Sequence, residues 1–144
     1  MVVTSQTLVS EHEEQIGKAV VHAAFTVHKA LGPGLLESVY EICFCHELEK
    51  SGRGLQRQIS VPVTYDGLSF VEAFRIDVLV ENLVICELKA VENSHPVHLA
   101  HLLTYLKLTN RQLGFVINFN VPLIKDGIRR VVRQAPSALI TNPP

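Results

Sequence analysis

Two neighbouring stretches, FRIDVLV at residues 74–80 and LVICELKAV at residues 83–91, decide the fold that the sequence predicts. Each contains an almost continuous apolar run, at 76–80 and at 83–86, and Glu81-Asn82 between them is typical of a turn. Such runs are typical of central strands that are buried on both faces of a sheet. We therefore predict that the two stretches are adjacent strands at the centre of a sheet.

Charged side chains stand inside these two stretches: Asp77 in the first, Glu87 and Lys89 in the second. A carboxylate in a buried strand is costly unless a partner or a metal compensates its charge. Because side chains alternate along a strand, Glu87 and Lys89 share one face. A turn centred on Asn82 would place Asp77 opposite Glu87, with their Cβ atoms roughly 5 Å apart. The three side chains are therefore predicted to form one site.

Two carboxylates at this distance repel each other, and a hard divalent cation between them would remove the repulsion. Oxygen ligands alone favour Mg²⁺ or Mn²⁺ over zinc. Lys89 beside them could orient an attacking water or stabilise negative charge in a phosphoryl transition state. A second interpretation stays open here, in which Lys89 forms a buried ion pair with Asp77 or Glu87 and no chemistry takes place.

The segments around these strands predict a small α/β domain of the α+β type. Ser10 and Glu13 match a capping box, Gly32-Pro33-Gly34 ends the first helix, and Asp66-Gly67 is a strong hairpin signal. The predicted helices cover residues 16–31, 36–50 and a stretch from Pro96, and the predicted strands cover 59–65, 70–80, 83–91, 113–119 and 128–132. The order is α-α-β-β-β-α-β with a final edge strand, and helices should cover at least one sheet face.

The composition predicts one folded domain at residues 1–135, followed by a loose tail at residues 136–144. Hydrophobic residues make up 47% of the chain and charged residues 19%, which supports a packed core. The apolar stretches are too short to span a bilayer, and the N-terminus has no signal-peptide pattern. Cys43, Cys45 and Cys86 lack CxxC spacing, which favours reduced thiols and a cytoplasmic location.

A net charge of −1 gives no global attraction to nucleic acid, so any surface that binds phosphates has to be local. Basic residues gather in two groups: Lys50, Arg53 and Arg57, and Lys125, Arg129, Arg130 and Arg133. They could hold a phosphate backbone beside the acidic site. An ordinary solvated rim is the favoured interpretation, because the chain contains no basic run of five or more residues.

Asp77 followed by Glu87-Leu88-Lys89 resembles the D…ExK signature of the PD-(D/E)xK nuclease superfamily. GLLESVY at residues 34–40 is similar to the motif that names the GxxExxY proteins, a bacterial family within that superfamily. The resemblance runs from about residue 16 to residue 132 and includes VPV at 61–63, ELKAVE at 87–92, LLTYL at 102–106 and INFN at 117–120. An ExK motif alone is weak, but all of these motifs in order are specific.

This resemblance implies a restriction-endonuclease-like core, a mixed sheet flanked by helices, and a nuclease that uses Mg²⁺ or Mn²⁺ to hydrolyse DNA or RNA. Asp77, Glu87 and Glu37 would hold the metal, and Lys89 would complete the catalytic set. Glu37 also has an ordinary explanation, because the first turn of a helix favours a glutamate electrostatically. Glu41, one turn later, is the weaker candidate. A one-domain nuclease this small often needs a partner subunit to cut duplexes, so a homodimer is also an expectation.

Similar nucleases carry a QxxxY motif on the helix after the ExK strand, where this chain has HLLTY at residues 101–105. His101 and Tyr105 share a helix face, and an imidazole can still donate a hydrogen bond to a phosphate or a metal-bound water. His98 is expected to support the same group. Zinc binding by His95, His98 and His101 is disfavoured, because nothing completes a tetrahedral set. The histidine at position 101 and the near-neutral charge also fit a rival function, a non-catalytic nucleic-acid-binding or protein-interaction module that retains the nuclease fold.

Overall fold

Three helices and five strands follow one another in the computed structural model, which describes residues 9–133. The helices are α1 (Glu11–Leu31), α2 (Glu37–Lys50) and α3 (Pro96–Leu108); the strands are β1 (Leu55–Tyr65), β2 (Leu68–Val80), β3 (Val84–Lys89), β4 (Leu113–Asn118) and β5 (Ile128–Val132), with a 3₁₀ turn at Ile124–Asp126. The predicted order of elements is confirmed. The loose tail predicted at residues 136–144 lies outside the described residues.

Local capping interactions set the ends of α1. The Ser10 hydroxyl oxygen accepts a hydrogen bond from the Glu13 N–H at 3.1 Å, and Glu13 Oε1 accepts one from the Ser10 N–H at 2.8 Å. This reciprocal pair is the predicted capping box. Gly32 ends the helix with a φ of 68°, a left-handed conformation that favours glycine. Within residues 9–133, no helix has the length and apolar composition needed to cross a membrane.

The strands form one mixed sheet with the order β1-β2-β3-β4-β5. β3 and β4 run parallel, and the other neighbours are antiparallel. Val78 pairs with Cys86 and Val80 pairs with Val84, which centres the turn on Asn82 as predicted. α3 connects the two parallel strands, as a crossover must.

Helices cover both faces of the sheet. α1 and α2 pack on one face through residues that include Ile16, Val20, Tyr40, Phe44 and Leu48. α3 packs on the other face, where Leu102 and Leu106 meet Ile85 and Val116. The core of the sheet is thus covered on both sides, which explains the continuous apolar runs in its central strands.

The apolar side chains of the β1–β2 hairpin pack on one face of the sheet near its core and on the other face farther out. Near the core of the sheet, Leu55, Val78 and Val80 pack with the cluster under α1 and α2. Farther out, Ile59, Val61, Phe74 and Ile76 pack with the cluster under α3. Gln58 lies where this change of face occurs. Its φ is 53°, a backbone conformation that residues other than glycine rarely adopt inside a strand. Asp77 lies across from Gln58, between the register pairs Arg57–Val78 and Ile59–Ile76, at the point where the packing changes from one face to the other.

Several strand bounds differ from the prediction. β1 starts at Leu55 and β2 at Leu68, each earlier than predicted. β3 ends at Lys89 although residues as far as 91 were expected in it. The reason lies in the side chain of Asn118, which accepts a hydrogen bond from the Val91 N–H at 3.1 Å and donates one to the Val91 carbonyl at 3.0 Å. These bonds replace the ladder that would have continued the strand.

Candidate active site

Asp77 and Glu87 lie where the main-chain ladder between β2 and β3 stops. The last ladder pair is Val78 with Cys86, so the next position places Asp77 opposite Glu87. There the carboxylates take the place of main-chain acceptors. Glu87 Oε2 accepts a hydrogen bond from the Asp77 N–H at 3.3 Å, and Asp77 Oδ2 accepts one from the Leu88 N–H at 2.9 Å. The two acidic side chains are therefore held across the hairpin.

Burial raises the pKa of both carboxyl groups. Glu87 is 7% exposed, and burial together with the nearby Asp77 carboxylate raises its pKa to about 8. Burial also raises the pKa of Asp77, while the hydrogen bond from the Leu88 N–H opposes that rise. The pair consequently retains a proton near neutral pH until a cation compensates the second negative charge. Perturbed carboxyl groups of this kind are common in catalytic and metal sites.

Lys89 lies two residues beyond Glu87 on the same face of β3. Its positive charge lowers the pKa of Glu37, Asp77 and Glu87, which shows that its ammonium group lies near all three. The ion pairs formed within residues 9–133 are Lys50–Glu47, Arg57–Glu41, Arg75–Glu72 and Arg130–Glu14. None of them involves Lys89. A direct buried ion pair, the second interpretation of the sequence, therefore does not describe this arrangement.

The connection between α1 and α2 brings Glu37 to the site. Gly34 turns the chain with a φ of 105°, and Glu37 is the first residue of α2. The Glu37 carboxylate lies within electrostatic reach of Asp77 and Lys89, and the nearby main chain of Ala90 lowers its pKa. Burial, followed by the charge of Asp77, raises the pKa of Glu37. Glu37 therefore lies near the same acidic pair.

Tyr40 fixes the turn that precedes Glu37. Its hydroxyl group donates a hydrogen bond to the Gly32 carbonyl at 2.6 Å and accepts one from the Leu35 N–H at 3.1 Å. Its ring is fully buried and stacks on Phe119 with a centroid distance of 4.7 Å. The GLLESVY segment thus has a physical reading, in which the glycine allows the turn, the glutamate enters the site and the tyrosine holds both in place.

Glu41, the weaker candidate of the sequence, forms a network whose partners the sequence did not predict. Glu41 is 5% exposed, and its carboxylate accepts hydrogen bonds from Arg57 Nε at 3.0 Å and from Gln58 Nε2 at 2.9 Å. Gln58 also lies near Asp77, and its side-chain amide lowers the pKa of that carboxyl. Gln58, at the change of face, thereby links the second turn of α2 to the acidic pair. The one signal in the sequence is the polar run QRQ at residues 56–58 at the start of a strand.

α3 forms the opposite wall of the site. The Tyr105 ring stacks on Phe74 at a centroid distance of 4.2 Å, and burial and the charges of Glu87 and Asp77 raise the pKa of Tyr105. The exposed His101 ring is 6.2 Å from Tyr105 and nearly parallel to it. The two rings therefore share one face of α3, and the charges that act on Tyr105 show that its side chain lies near the acidic pair.

Within residues 9–133, no three His, Cys, Asp or Glu side chains converge tightly enough to hold a metal ion by themselves. Asp77 and Glu87 nevertheless offer oxygen donors whose mutual repulsion a hard cation would relieve. A cavity of about 340 Å³ adjoins Lys89 and reaches toward α3 and β5. A larger cavity of about 640 Å³ lies between α3 and β5. Neither cavity is lined by Asp77, Glu87 or Glu37, but Lys89 lines the smaller one, which therefore adjoins the candidate site.

A family model described as the PD-(D/E)XK nuclease superfamily matches residues 14–131. The matched range contains all the candidate residues, from Glu37 on α2 to Tyr105 on α3. No curated protein and no solved structure matches the chain.

Proposed function

The chain belongs to the PD-(D/E)XK nuclease superfamily, and from this membership we propose that it is a metal-dependent nuclease that hydrolyses phosphodiester bonds of DNA or RNA. The observation that carries the proposal is the Asp77–Glu87 pair. Two carboxylates are held across one hairpin, burial raises the pKa of both, and neither forms an ion pair among residues 9–133. A purely structural network would neutralise such charges internally.

Asp77 and Glu87 fit a hard divalent cation, Mg²⁺ or Mn²⁺, with Glu37 nearby. Mg²⁺ commonly binds through one or two carboxylates together with waters and substrate phosphate oxygens, so a third converging carboxylate is not required. When bound, such an ion supplies Lewis-acid polarisation of the phosphate and lowers the pKa of a coordinated water.

The side chains of this protein position the reacting groups. Lys89 would orient the attacking water and stabilise the negative charge that develops on the phosphate oxygens. Gln58, held by Glu41, lies near Asp77 and would help to orient that carboxylate. His101 is exposed on the face of α3 that Tyr105 turns toward the acids, so its ring would donate a hydrogen bond to a substrate phosphate.

We also propose that the chain is a GxxExxY-type member of the superfamily. Support comes from the roles of the GLLESVY residues, because Gly34, Glu37 and Tyr40 each act in placing an acidic side chain at the site. Reduced thiols support a cytoplasmic location: Cys43, Cys45 and Cys86 are unpaired, and burial raises the pKa of Cys45 to about 12, which makes that thiol unreactive.

The test is cleavage of single- and double-stranded DNA and RNA by the purified protein, with and without Mn²⁺ or Mg²⁺. Asp77→Asn should abolish metal-dependent cleavage and the rise in Tm that Mn²⁺ causes in the wild type, because it removes one of the two ligands. Asp66→Asn makes the same chemical change at a hairpin turn with a φ of 48°, which asparagine tolerates, and should behave like the wild type. A wild type that cleaves none of the four substrates with either metal would refute the proposal.

A further inference from the structure

The cavity beside Lys89 is formed by parts of the chain that are distant in sequence. β3, the loop that leads into α3, the end of β4 and the segment from the 3₁₀ turn into β5 all contribute walls. Its polar lining includes Lys89, His95, His98, Asn118, Asp126 and Arg129. Since Lys89 also faces the acidic pair, the cavity and the proposed catalytic site share one wall.

Positive charge in this cavity exceeds negative charge. Neither Lys89 nor Arg129 forms an ion pair within residues 9–133, and Asp126 is the carboxylate among the residues that line the walls. His95 Nδ1 accepts a hydrogen bond from the Val97 N–H at 3.0 Å, so the Nε2 of His95 carries a proton and can donate. The cavity therefore offers several donors and cations that no other described group of the protein neutralises by direct contact.

The walls are fixed by interactions that need no ligand. The side chain of Asn118 forms hydrogen bonds with the N–H and the carbonyl of Val91. The Lys89 carbonyl accepts a hydrogen bond from the Phe119 N–H at 2.9 Å. Gly127 packs so closely that an added Cβ would lie 2.1 Å from the Asn118 carbonyl oxygen. A cavity with walls held in this way is preorganised, which lowers the cost of binding.

We propose that this cavity binds the terminal phosphate of a nucleic-acid strand, so that the protein acts on substrates from a phosphorylated end. The inference rests on the proposed function, which places the scissile phosphate at the neighbouring acids. A terminal phosphate monoester carries a charge of about −1.5 to −2 at neutral pH, whereas an internal diester carries a single negative charge. Two cations and two imidazoles opposite one carboxylate match the monoester better.

The size of the cavity supports the same ligand. Its volume of about 340 Å³ is at the lower end of the range for small-molecule sites. That volume suits one phosphate with its sugar.

The experiment measures the affinity of the metal-free protein for short oligonucleotides by fluorescence anisotropy. The strands carry a 5′-phosphate, a 3′-phosphate or hydroxyl groups at both ends, and are made as DNA and as RNA. A phosphate at one end should raise the affinity about tenfold, which corresponds to about 1.4 kcal/mol. Arg129→Gln should abolish this preference. Arg130→Gln is the matched control, because it removes the same charge from the next residue of β5, which pairs with Glu14 outside the cavity.

Equal affinity for phosphorylated and hydroxyl-ended strands would overturn the inference, and so would an equal loss of preference in both variants. If Arg129→Gln does not fold, inorganic phosphate replaces it as the probe and should compete with the phosphorylated strand but not with the hydroxyl-ended strand. Metal-dependent cleavage without end preference would refute this inference and leave the proposed function standing. End preference in binding without any cleavage would support this inference and refute the proposed function.

Discussion

Glu87 makes the stability of the metal-free protein depend on pH. Its pKa is about 8 in the folded protein against an ordinary value of 4.5, so between these values the folded state holds a proton that the unfolded state has released. The free energy of unfolding should therefore fall as pH rises through this window, by at most about 1.4 kcal/mol per pH unit. Glu87→Gln should flatten the decline in Tm, measured by differential scanning calorimetry across the window.

The control for this prediction is Glu72→Gln, which removes a carboxyl group from the exposed part of the hairpin and should leave the decline unchanged. Mn²⁺ should raise the Tm of the wild type more at the alkaline end of the window, because the metal then displaces no proton. A decline as steep in Glu87→Gln as in the wild type would show that the Glu87 carboxyl does not hold the proton.

Substitutions of His101 test whether a histidine at this position, where similar nucleases carry glutamine, reduces activity. A glutamine amide donates a hydrogen bond at any pH, whereas a neutral imidazole donates from one ring nitrogen only. His101→Gln should therefore retain or increase cleavage, and His101→Ala should lower the cleavage rate roughly tenfold or more with little change in Tm, since the ring is exposed. His22→Gln, on the exposed face of α1, is the control. If the wild type is inactive and His101→Gln cleaves, the chain is a degenerate member of its superfamily.

At the scale of the elements, the turn between α1 and α2 sets the position of Glu37. Tyr40→Phe keeps the stacked ring but leaves the Gly32 carbonyl and the Leu35 N–H without their partner. We expect a loss of roughly 1–3 kcal/mol in the free energy of unfolding, measured with urea, and a lower cleavage rate. Tyr65→Phe, with a side chain that is 70% exposed, should change neither quantity. Full cleavage by Tyr40→Phe would show that Glu37 does not need this anchor.

The close approach of the 3₁₀ turn to β4 depends on Gly127. Its φ is negative, so the constraint is space rather than backbone conformation, since a Cβ would lie 2.1 Å from the Asn118 carbonyl oxygen. Gly127→Ala should lower the free energy of unfolding by roughly 1–3 kcal/mol in a urea titration. At Gly54 the nearest atom would be 3.8 Å away, so Gly54→Ala should be tolerated. Equal stability of the two variants would contradict the tight packing described here.

The elements themselves could be predicted from local signals. The capping box at Ser10, the Asp66-Gly67 turn and the two apolar runs each depend on residues close in the chain, and all of them appear in the structure. The opposition of Asp77 and Glu87 could be predicted for the same reason, because ten positions and one turn separate them.

The face change at Gln58 and the Glu41 network could not be predicted in this way. Nothing near Gln58 in the sequence indicates a left-handed φ, which asparagine or glycine would normally signal. Glu41 meets Arg57 and Gln58 only because α2 packs beside the start of β1, a long-range contact that no periodicity encodes. The C-terminal end of β3 likewise depends on Asn118, which lies almost thirty residues farther along the chain.

At the scale of the whole molecule, the net charge is close to zero, but charged groups are concentrated in local clusters. The chain has a net charge of −1, yet Lys89 lies near the acidic pair and also lines the cavity that Arg129, His95 and His98 line. Attraction to nucleic acid must therefore come from a few groups near the site, which position a strand without general affinity for phosphate backbones.

The spatial order of the strands repeats their order in the chain, and this bears on how the protein folds during its synthesis. Each strand that leaves the ribosome meets an edge that the previous strand has just formed, so no strand has to be inserted between two others. We expect the parallel pairing of β3 with β4 to be the slow step, because it must await α3 and close a longer loop. The nascent chain thus assembles its acidic pair first and the cavity for the strand end last, when β5 arrives.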